Sequence, residues 1–270
     1  MLTTPRKAIA SVAMCLLAAL PYSASSSPST AMAGHAFGPG ERLTFAISYL
    51  GVRAGTAVME VRDGEPIGGR ATWRLQTLAW TEGFVSKIFP IDDRVDSVID
   101  AETLLPYRMV FRKHEGKKQS HIEVTFDHAV GTATTIKDGK TEVARIPAGT
   151  QHAFSALYFL RDRRSARIGD AMTLNVHHDA RNYPLNARVE KVETVTGRWG
   201  VLRALEVHVI MPFRGIWMNE GSMRVWVSED PEHVPLKVRA KVIIGSIVAE
   251  LIDAPGVTTT REPAVAPPAS

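Results

Sequence analysis

The feature that most constrains the fold is an alternation of apolar and polar residues with a period of two. In the segment 221–252, GSMRVWVSEDPEHVPLKVRAKVIIGSIVAELI, Met223 and Val225 alternate with polar neighbours, and the pattern resumes after the second proline. Successive side chains of a strand point to opposite faces, so this period is typical of a half-buried strand. Turn residues at 228–231 and at Gly245 separate the runs. The segment therefore predicts two or three consecutive antiparallel strands.

The same alternation recurs along most of the chain, beginning with Leu43 and Phe45, and turn residues bound each run. The pair Asp138-Gly139 is the strongest hairpin signal, because both residues tolerate the positive φ of a type I′ turn. The segment 153–164, AFSALYFLRDRR, is the one convincing helix, with apolar side chains at helical spacing and no Gly or Pro. The segment 81–90, TEGFVSKIFP, predicts either a short helix or an apolar loop across the sheet.

These patterns predict an all-β, mainly antiparallel fold, because about a dozen strands accompany a single clear helix. Crossover helices between the strands are missing from the pattern, which argues against a parallel sheet. We expect a large curved, meandering sheet or half-barrel wrapped around the helix. Trp226 falls on the polar face of its strand, with Arg224 and Ser228. We therefore predict that this second face is also covered there, by the helix, a lid or a partner.

The N-terminus predicts export. Arg6 and Lys7 precede an apolar run at 8–20, and Ala31-Met32-Ala33 provides an A-x-A cleavage pattern. The run is shorter than the roughly 20 apolar residues of a membrane-spanning helix, so we expect no transmembrane anchor in the mature chain. The predicted organisation is a signal peptide at 1–33, a single β-rich domain at 34–253 and a disordered tail at 254–270, which is rich in Pro, Ala and Thr.

Cysteine content and charge exclude several classes of protein. Cys15 is the only cysteine and lies inside the apolar run, so the mature chain has neither a disulfide framework nor a thiol nucleophile. Its stability must come from its core, and a chain of 270 residues that is 45% hydrophobic is long enough to form one. The formal net charge of +4 falls to +2 when Arg6 and Lys7 are removed. That balance is too small to imply binding to nucleic acid.

The polar residues offer no clear catalytic or metal motif. Adjacent His177 and His178 would point to opposite faces of a strand, and HExxH spacing is missing, so we expect no metal site and no cofactor. Ser155 lies within the predicted helix without a nucleophile elbow, which argues against covalent catalysis. An acidic cluster could suggest calcium binding or paired carboxylates, but turn capping and salt bridges are the favoured interpretation. The cluster consists of Asp92, Asp93, Asp96 and Asp100.

Two apolar groups are candidates for ligand, partner or membrane contact, because loops normally carry polar residues. Equally open is the alternative that both fold back as lids over the open edge of the sheet core. The first group is Trp80, Phe84, Ile88 and Phe89, and the second is Phe213, Ile216, Trp217 and Met218.

The order of several short motifs resembles the DUF3108 family of exported bacterial proteins of unknown function. The motifs are GERLTF at 40–45, GVRAGTA at 51–57, DRVDS at 93–97, LP at 105–106, SALYFLR at 155–161 with GD at 169–170, VWVSED at 225–230, VP at 234–235 and GS at 245–246. They span nearly the whole mature chain. The family usually has an Asp near the position of His152, and the chain departs from it there. The resemblance implies a periplasmic β-rich protein, similar in architecture to half-barrel carriers of lipids and lipoproteins, and it implies no established enzyme activity.

The sequence thus favours a periplasmic, non-enzymatic binder or carrier of an apolar or amphiphilic ligand in the cell envelope. One alternative is a structural or scaffolding partner of an envelope protein assembly, in which the same apolar segments bind protein. A less favoured alternative is a hydrolase of envelope material, which would need titratable groups that converge in one cleft.

Overall fold

The computed structural model describes residues 34–162, 166–211, 222–242 and 245–255. Within these ranges the chain forms one sheet of fifteen strands and two short helices. The predicted signal peptide at 1–33 and most of the predicted tail at 254–270 lie outside the described residues. Phe213, Ile216, Trp217 and Met218, the second apolar group, also lie outside them.

The strands follow one another with mostly short connections. Their bounds are β1 Arg42–Tyr49, β2 Val52–Ile67, β3 Arg70–Thr81, β4 Asp92–Asp100, β5 Pro106–Glu115, β6 Lys118–Asp127, β7 Thr132–Lys137, β8 Lys140–Arg145, β9 Gln151–His152, β10 Ala171–His178, β11 Arg181–Gly197, β12 Gly200–Ile210, β13 Ser222–Ser228, β14 Pro235–Lys241 and β15 Ser246–Asp253.

Neighbours in the sheet are almost always neighbours in the chain. The order runs from β8 down to β1, continues with β15, and then descends to β9. Every pair is antiparallel except β9 with β10, and β1 pairs with β15. The prediction of an all-β, mainly antiparallel fold is confirmed. The sheet does not close through its backbone, because β8 and β9 form its two edges.

The turns have the chemistry that the sequence predicts. Asp138 and Gly139 have φ of 49° and 83°, as a type I′ turn between β7 and β8 requires. In the turn between β13 and β14, the Asp230 carboxylate accepts hydrogen bonds from the Ser228 hydroxyl at 2.7 Å and the Glu232 amide at 3.1 Å. The three strands of segment 221–252 thus have the order and turns expected of them.

Side chains connect the two ends of the open sheet. His177 on β10 contacts the Thr135 hydroxyl on β7 at 3.1 Å and the Asn182 side-chain oxygen at 2.9 Å. Asn182 in turn donates to the backbone carbonyl of Arg145 on β8. Because Asn182 presents its oxygen, Nδ1 of His177 carries the proton and Nε2 accepts from the threonine. These contacts hold the edges near each other without a backbone ladder.

Two helices interrupt the strands. Helix α1, Gly83–Ile88, lies in the segment for which the sequence predicted either a short helix or an apolar loop. Helix α2, Ala153–Arg161, ends earlier than the predicted 153–164 and buries Phe154 and Tyr158 among other residues. Its contacts with neighbouring elements are mainly with β9 and β10, so the predicted wrapping of the sheet around this helix is not confirmed. Neither of the two helices in the described ranges has the length and hydropathy needed to cross a bilayer.

Trp226 is buried, which agrees with a covered position. Its contacts are with charged side chains of the same sheet, on β11 and β14, so the predicted cover by the helix, a lid or a partner is not confirmed. The indole nitrogen donates to the Glu193 carboxylate, and the Arg239 guanidinium lies 5.8 Å from the ring centroid. An arginine at this distance makes a cation–π contact and covers the ring with its aliphatic stem.

Candidate functional site

An apolar cavity lies between helix α2 and the second half of the sheet. Its volume is about 140 Å³. Strands β1, β2 and β11–β14 supply most of the wall, and Leu157 and Leu160 of α2 cover it. The lining residues are Phe45, Met59, Leu157, Leu160, Arg161, Ala166, Asp170, Ala171, Met172, Ala187, Arg188, Val189, Val207, Val209, Val225, Val227, His233, Pro235 and Val238.

The strand alternation makes the wall of the cavity apolar. Val225 and Val227 face inward on β13, and Val209 faces inward on β12, so a continuous aliphatic surface results. A cavity of about 150 Å³ lined by such side chains stays dry and admits a benzene-sized molecule. The volume here therefore accommodates one ring or a short hydrocarbon segment. Asp170 and Arg188 are exposed, which places the mouth beside them.

The buried cation beside the cavity is already occupied. Arg161 donates to both carboxylate oxygens of Glu41, at 2.7 and 2.9 Å, and to the backbone carbonyls of Glu232 and His233 at 3.2 Å. Burial lowers the pKa of Arg161, but the ion pair with Glu41 outweighs that effect and the net change is upward. Because the guanidinium is bonded on three sides, it fixes helix α2 to the turn before β14.

Tyr158 packs against this ion pair and carries a polar group without a partner. Its side chain is 1% exposed, and its ring lies 4.8 Å from that of Phe37. Its hydroxyl has no hydrogen-bond partner among the described residues. Burial and the nearby Glu41 raise the pKa of Tyr158, so the phenol stays neutral.

A buried serine–histidine contact has the residue types of a catalytic dyad but the wrong proton arrangement. Nδ1 of His152 accepts hydrogen bonds from the amides of Phe154 and Ser155, both at 3.3 Å, and so caps helix α2. A neutral histidine that accepts at Nδ1 carries its proton on Nε2, which therefore donates to the Ser97 hydroxyl at 2.6 Å. Burial lowers the pKa of His152 to about 3, so the ring stays neutral. His152 therefore acts as a helix cap and donates to Ser97 instead of accepting its proton.

The acidic cluster divides into two parts. Asp96 pairs with Arg74 at 2.7 Å, and Asp100 pairs with Arg70 while it accepts the amides of the following turn. The favoured interpretation, turn capping and salt bridges, describes these two carboxylates. The hydrogen bonds from Arg70, the largest contribution, lower the pKa of Asp100.

Asp93 differs from its neighbours in the cluster because it faces the interior. Its side chain is 1% exposed, and only Oδ1 has a partner, the His114 amide at 2.8 Å. Burial raises the pKa of Asp93 to about 7, and the nearby Glu115 contributes in the same direction. Glu115 is buried too, its pKa is raised by burial, and its Oε1 has no partner among the described residues.

Within the described ranges, no three His, Cys, Asp or Glu side chains are grouped so that they could hold a metal ion. His177 is buried in the contacts between the sheet ends, and His178 is partly buried next to it. Nε2 of His128 donates a hydrogen bond to the Pro106 carbonyl at 2.9 Å.

The first apolar group from the sequence does not line the cavity. Trp80 and Phe89 are half-buried against the core, whereas Phe84 and Ile88 are 74% and 56% exposed. Trp80 contributes to a separate hollow of about 20 Å³ that lies beneath Val85 of helix α1. The position and lining of the cavity were not predicted from the sequence. The sequence features that contribute to it are the inward-facing valines of β12 and β13 and the apolar face of α2.

The comparison with known families gives a match over most of the chain. The profile of proteins of unknown function, DUF3108, matches residues 44–252. The chain belongs to the DUF3108 family. The resemblance seen in the sequence motifs is thereby confirmed. The comparison with curated proteins gives no match.

The comparison with solved structures gives matches that cover most of the DUF3108 chain. One is the crystal structure of a β-barrel-like DUF1849 protein from Brucella abortus, with 13% identity, a TM-score of 0.52, and coverage of 79% of this chain and 96% of the other. A second, from Bacteroides fragilis, is described as a candidate exported protein with a YmcC-like fold. It has 13% identity and a TM-score of 0.30, and covers 80% of this chain and 95% of the other. At such identity the first likeness concerns the fold alone.

The fold brings together the motifs that carry the DUF3108 resemblance. Glu41 of the first motif and Arg161 of the helix motif form the buried ion pair, although 120 residues separate them. The same arginine bonds the carbonyl just before Val234-Pro235. Ser97 of another motif contacts the helix cap His152. These motifs therefore build the buried polar supports of helix α2, which covers the cavity.

Proposed function

We propose that this DUF3108 protein is an exported, periplasmic binder or carrier of an apolar or amphiphilic ligand, without catalytic activity. The observation that carries the proposal is the aliphatic cavity of about 140 Å³ between helix α2 and the sheet. Preformed apolar cavities with a few polar groups at their rim are the usual form of small-molecule binding sites. We assign the ligand's hydrocarbon part to this cavity.

The polar rim supports an amphiphile rather than a pure hydrocarbon. Arg188 and Asp170 line the cavity and are exposed, so they contact solvent and an inserted chain at once. The Asp170 carboxylate accepts the Arg167 amide at 2.9 Å, and the exposed Arg188 supplies a cation at the rim. A ligand with a hydrocarbon end and an anionic or hydroxylated head fits this division.

The contacts of the buried polar groups support a binding role without catalysis. Helix capping uses Nδ1 of His152, and the ion pair with Glu41 uses the guanidinium of Arg161. Neither side chain presents a free base or a free cation to the cavity. Proton transfer needs a group within hydrogen-bond reach of the substrate.

The sequence of the N-terminus supports the assignment to the periplasm. The basic residues, the apolar run at 8–20 and the A-x-A pattern at Ala31 to Ala33 are those of a cleaved signal peptide. Cleavage near Ala33 leaves Gly34 as the first residue.

The test is ligand binding by the full chain and by a cavity-filling variant. Ala187 is buried and lines the cavity, so Ala187→Phe places a ring inside it. We expect calorimetric titration with hexanoic acid, whose short chain matches the cavity volume, to show binding that this variant loses. Ala129→Phe, in the exposed turn after β6, is the matched control and should bind as the wild type does. Equal binding by Ala187→Phe would reject the cavity as the site.

A second measurement separates binding from scaffolding. Protein recovered from the cell envelope is extracted, and bound lipids are identified by mass spectrometry. A lipid that is present in the wild type and missing from Ala187→Phe supports the carrier. Recovery of the wild type without lipid, together with specific crosslinks to one envelope protein, would favour the scaffolding role instead.

A further inference from the structure

Four large apolar side chains are exposed at one end of the sheet, away from the cavity. Leu50 lies in the turn between β1 and β2 and Val52 begins β2, with 60% and 64% of their surface exposed. Phe84 and Ile88 belong to helix α1, with 74% and 56% exposed. We call these four residues the apolar tip. Exposed apolar residues that are grouped on a surface mark sites of interaction.

The sheet order places these elements side by side. In an antiparallel meander every second connection lies at the same end. The β1–β2 turn, helix α1 between β3 and β4, and the β5–β6 turn therefore share one end with the β14–β15 turn. Two contacts join them: the Glu82 amide donates to the Ala54 carbonyl at 2.9 Å, and the Gly116 amide donates to the Pro90 carbonyl at 2.7 Å.

Leu50 occupies a position that folding does not explain. Leu50 and Gly51 have φ of 49° and 79°, and Tyr49 pairs with Val52, so they form a two-residue type I′ turn. Such turns favour Asn, Asp or Gly at the first position, and a leucine there is strained. Its side chain lies over Gly245 but remains mostly exposed. A residue that departs from the amino-acid preference of its turn, and that is not buried in the core, points to a function.

Helix α1 also presents its apolar residues outward. Val85 lines the small hollow beneath the helix and provides its contact with the interior. Phe84 and Ile88 take no part in that hollow and face solvent. The exposed positions are therefore a property of the surface, separate from the packing of α1.

Cations surround the apolar tip. Lys87 lies on α1, Lys117 in the β5–β6 turn and Lys241 at the end of β14, and all three are exposed. Their ammonium groups make no ion pair with any residue in the described ranges. Among the described residues of α1 and the strand ends beside it, Glu82 is half-buried and paired with Arg53 at 3.1 Å, and Asp92 is exposed. The surface around the tip therefore carries a surplus of positive charge.

We propose that the apolar tip docks on a lipid bilayer surface that carries anionic headgroups. Projecting apolar side chains insert at the boundary of headgroups and acyl chains, while nearby lysines contact the anionic headgroups. The tip projects from turns and a short helix instead of forming a groove, which suits a bilayer better than a peptide. This surface is separate from the cavity, so the proposal stands or falls independently of ligand binding.

The experiment is hydrogen–deuterium exchange of the full chain, read peptide by peptide, with and without vesicles. Local exchange distinguishes binding by the tip from any binding by the apolar run at 8–20. With phosphatidylglycerol-containing vesicles, we expect protection of peptides that cover 50–53 and 83–89. Peptides that cover Val143 and Ile168, which are exposed to a similar degree, should stay unchanged.

Variants assign the protection to the apolar side chains. Leu50→Asn relieves the strained turn, so this variant is expected to fold at least as well as the wild type while its tip protection falls. Phe84→Ser with Ile88→Ser should remove the protection, and Val143→Ser with Ile168→Ser is the matched control. Lys87→Glu with Lys117→Glu should lower partitioning by at least about 25-fold, since each cation near an anionic surface contributes about fivefold.

Three outcomes would overturn the proposal. If anionic vesicles leave the exchange of the tip peptides unchanged, the tip does not contact the bilayer. Equal protection on pure phosphatidylcholine vesicles would reject the requirement for anionic headgroups. Protection that rises with protein concentration in the absence of vesicles, together with a dimer in sedimentation, would assign the tip to a second copy of the chain.

Discussion

Replacement of Asp93 by Asn should change how the stability of the protein depends on pH. Asp93 is 1% exposed, and its Oδ2 atom lacks a partner among the described residues. Burial, the largest cause, raises its pKa from 3.8 to about 7. Glu115 and Asp92 raise the pKa further, whereas the His114 amide and Lys113 lower it. The folded state therefore favours the protonated acid.

The direction of the effect follows from the raised pKa. Between pH 3.8 and about 7 the folded chain keeps the Asp93 proton, while the unfolded chain has released it. The contribution to stability is full below the unfolded pKa and is lost as pH rises through the folded pKa. The difference of roughly 3 units, at 1.36 kcal/mol each, corresponds to about 4 kcal/mol.

Urea unfolding followed by tryptophan fluorescence, repeated between about pH 4 and pH 8, measures this contribution. Asp93→Asn keeps an acceptor for the His114 amide but cannot ionise. We expect the variant to gain on the wild type by about 4 kcal/mol as pH rises across that range. Asp92→Asn, which removes a charge from the exposed face of the same strand, is the control. Parallel pH curves for Asp93→Asn and wild type would refute the reasoning.

Three further substitutions test the supports of helix α2 by urea unfolding. Glu41→Gln leaves Arg161 buried without its counter-charge and should lower the free energy of unfolding by about 3–5 kcal/mol. The control Glu229→Gln, in an exposed ion pair, should lower it by at most about 1 kcal/mol. Equal losses would contradict the structural role of the buried pair. Tyr158→Phe removes a buried hydroxyl that has no partner, so its stability should lie within about 1 kcal/mol of the wild type or above it, and a larger loss would reveal a partner. His152→Ala should cost about 1 kcal/mol or more because the cap is lost, and His152→Asp, with an oxygen acceptor, should recover stability that His152→Ala loses.

The architecture was predictable because strands and turns are local signals. The alternation around Val225 and the positive φ required at Asp138 and Gly139 depend only on neighbouring residues. The segment of helix α1 was ambiguous, since Gly83 weakens helix formation and six residues carry too little periodicity to decide. Local patterns therefore determined the class of fold but not the ends or the contacts of the short elements.

The candidate site could not be predicted, because it depends on contacts between distant segments. An inward valine such as Val209 has the same sequence pattern whether it packs against a neighbour or lines a cavity. The pairing of Glu41 with Arg161 joins residues 120 positions apart. His152 illustrates the limit most clearly: its Nδ1 caps helix α2, a role that no local pattern in the sequence predicts.

The two proposed surfaces share strands but no residue. Along β1, Phe45 lines the cavity and Leu50 belongs to the tip, about 17 Å apart at 3.3 Å per residue. Along β14, Val238 and Lys241 are about 10 Å apart by the same measure. Effects at sites separated by more than about 7–10 Å usually add. Membrane docking and ligand binding are therefore separable in a double variant, and a carrier that docks at the tip leaves its cavity unobstructed.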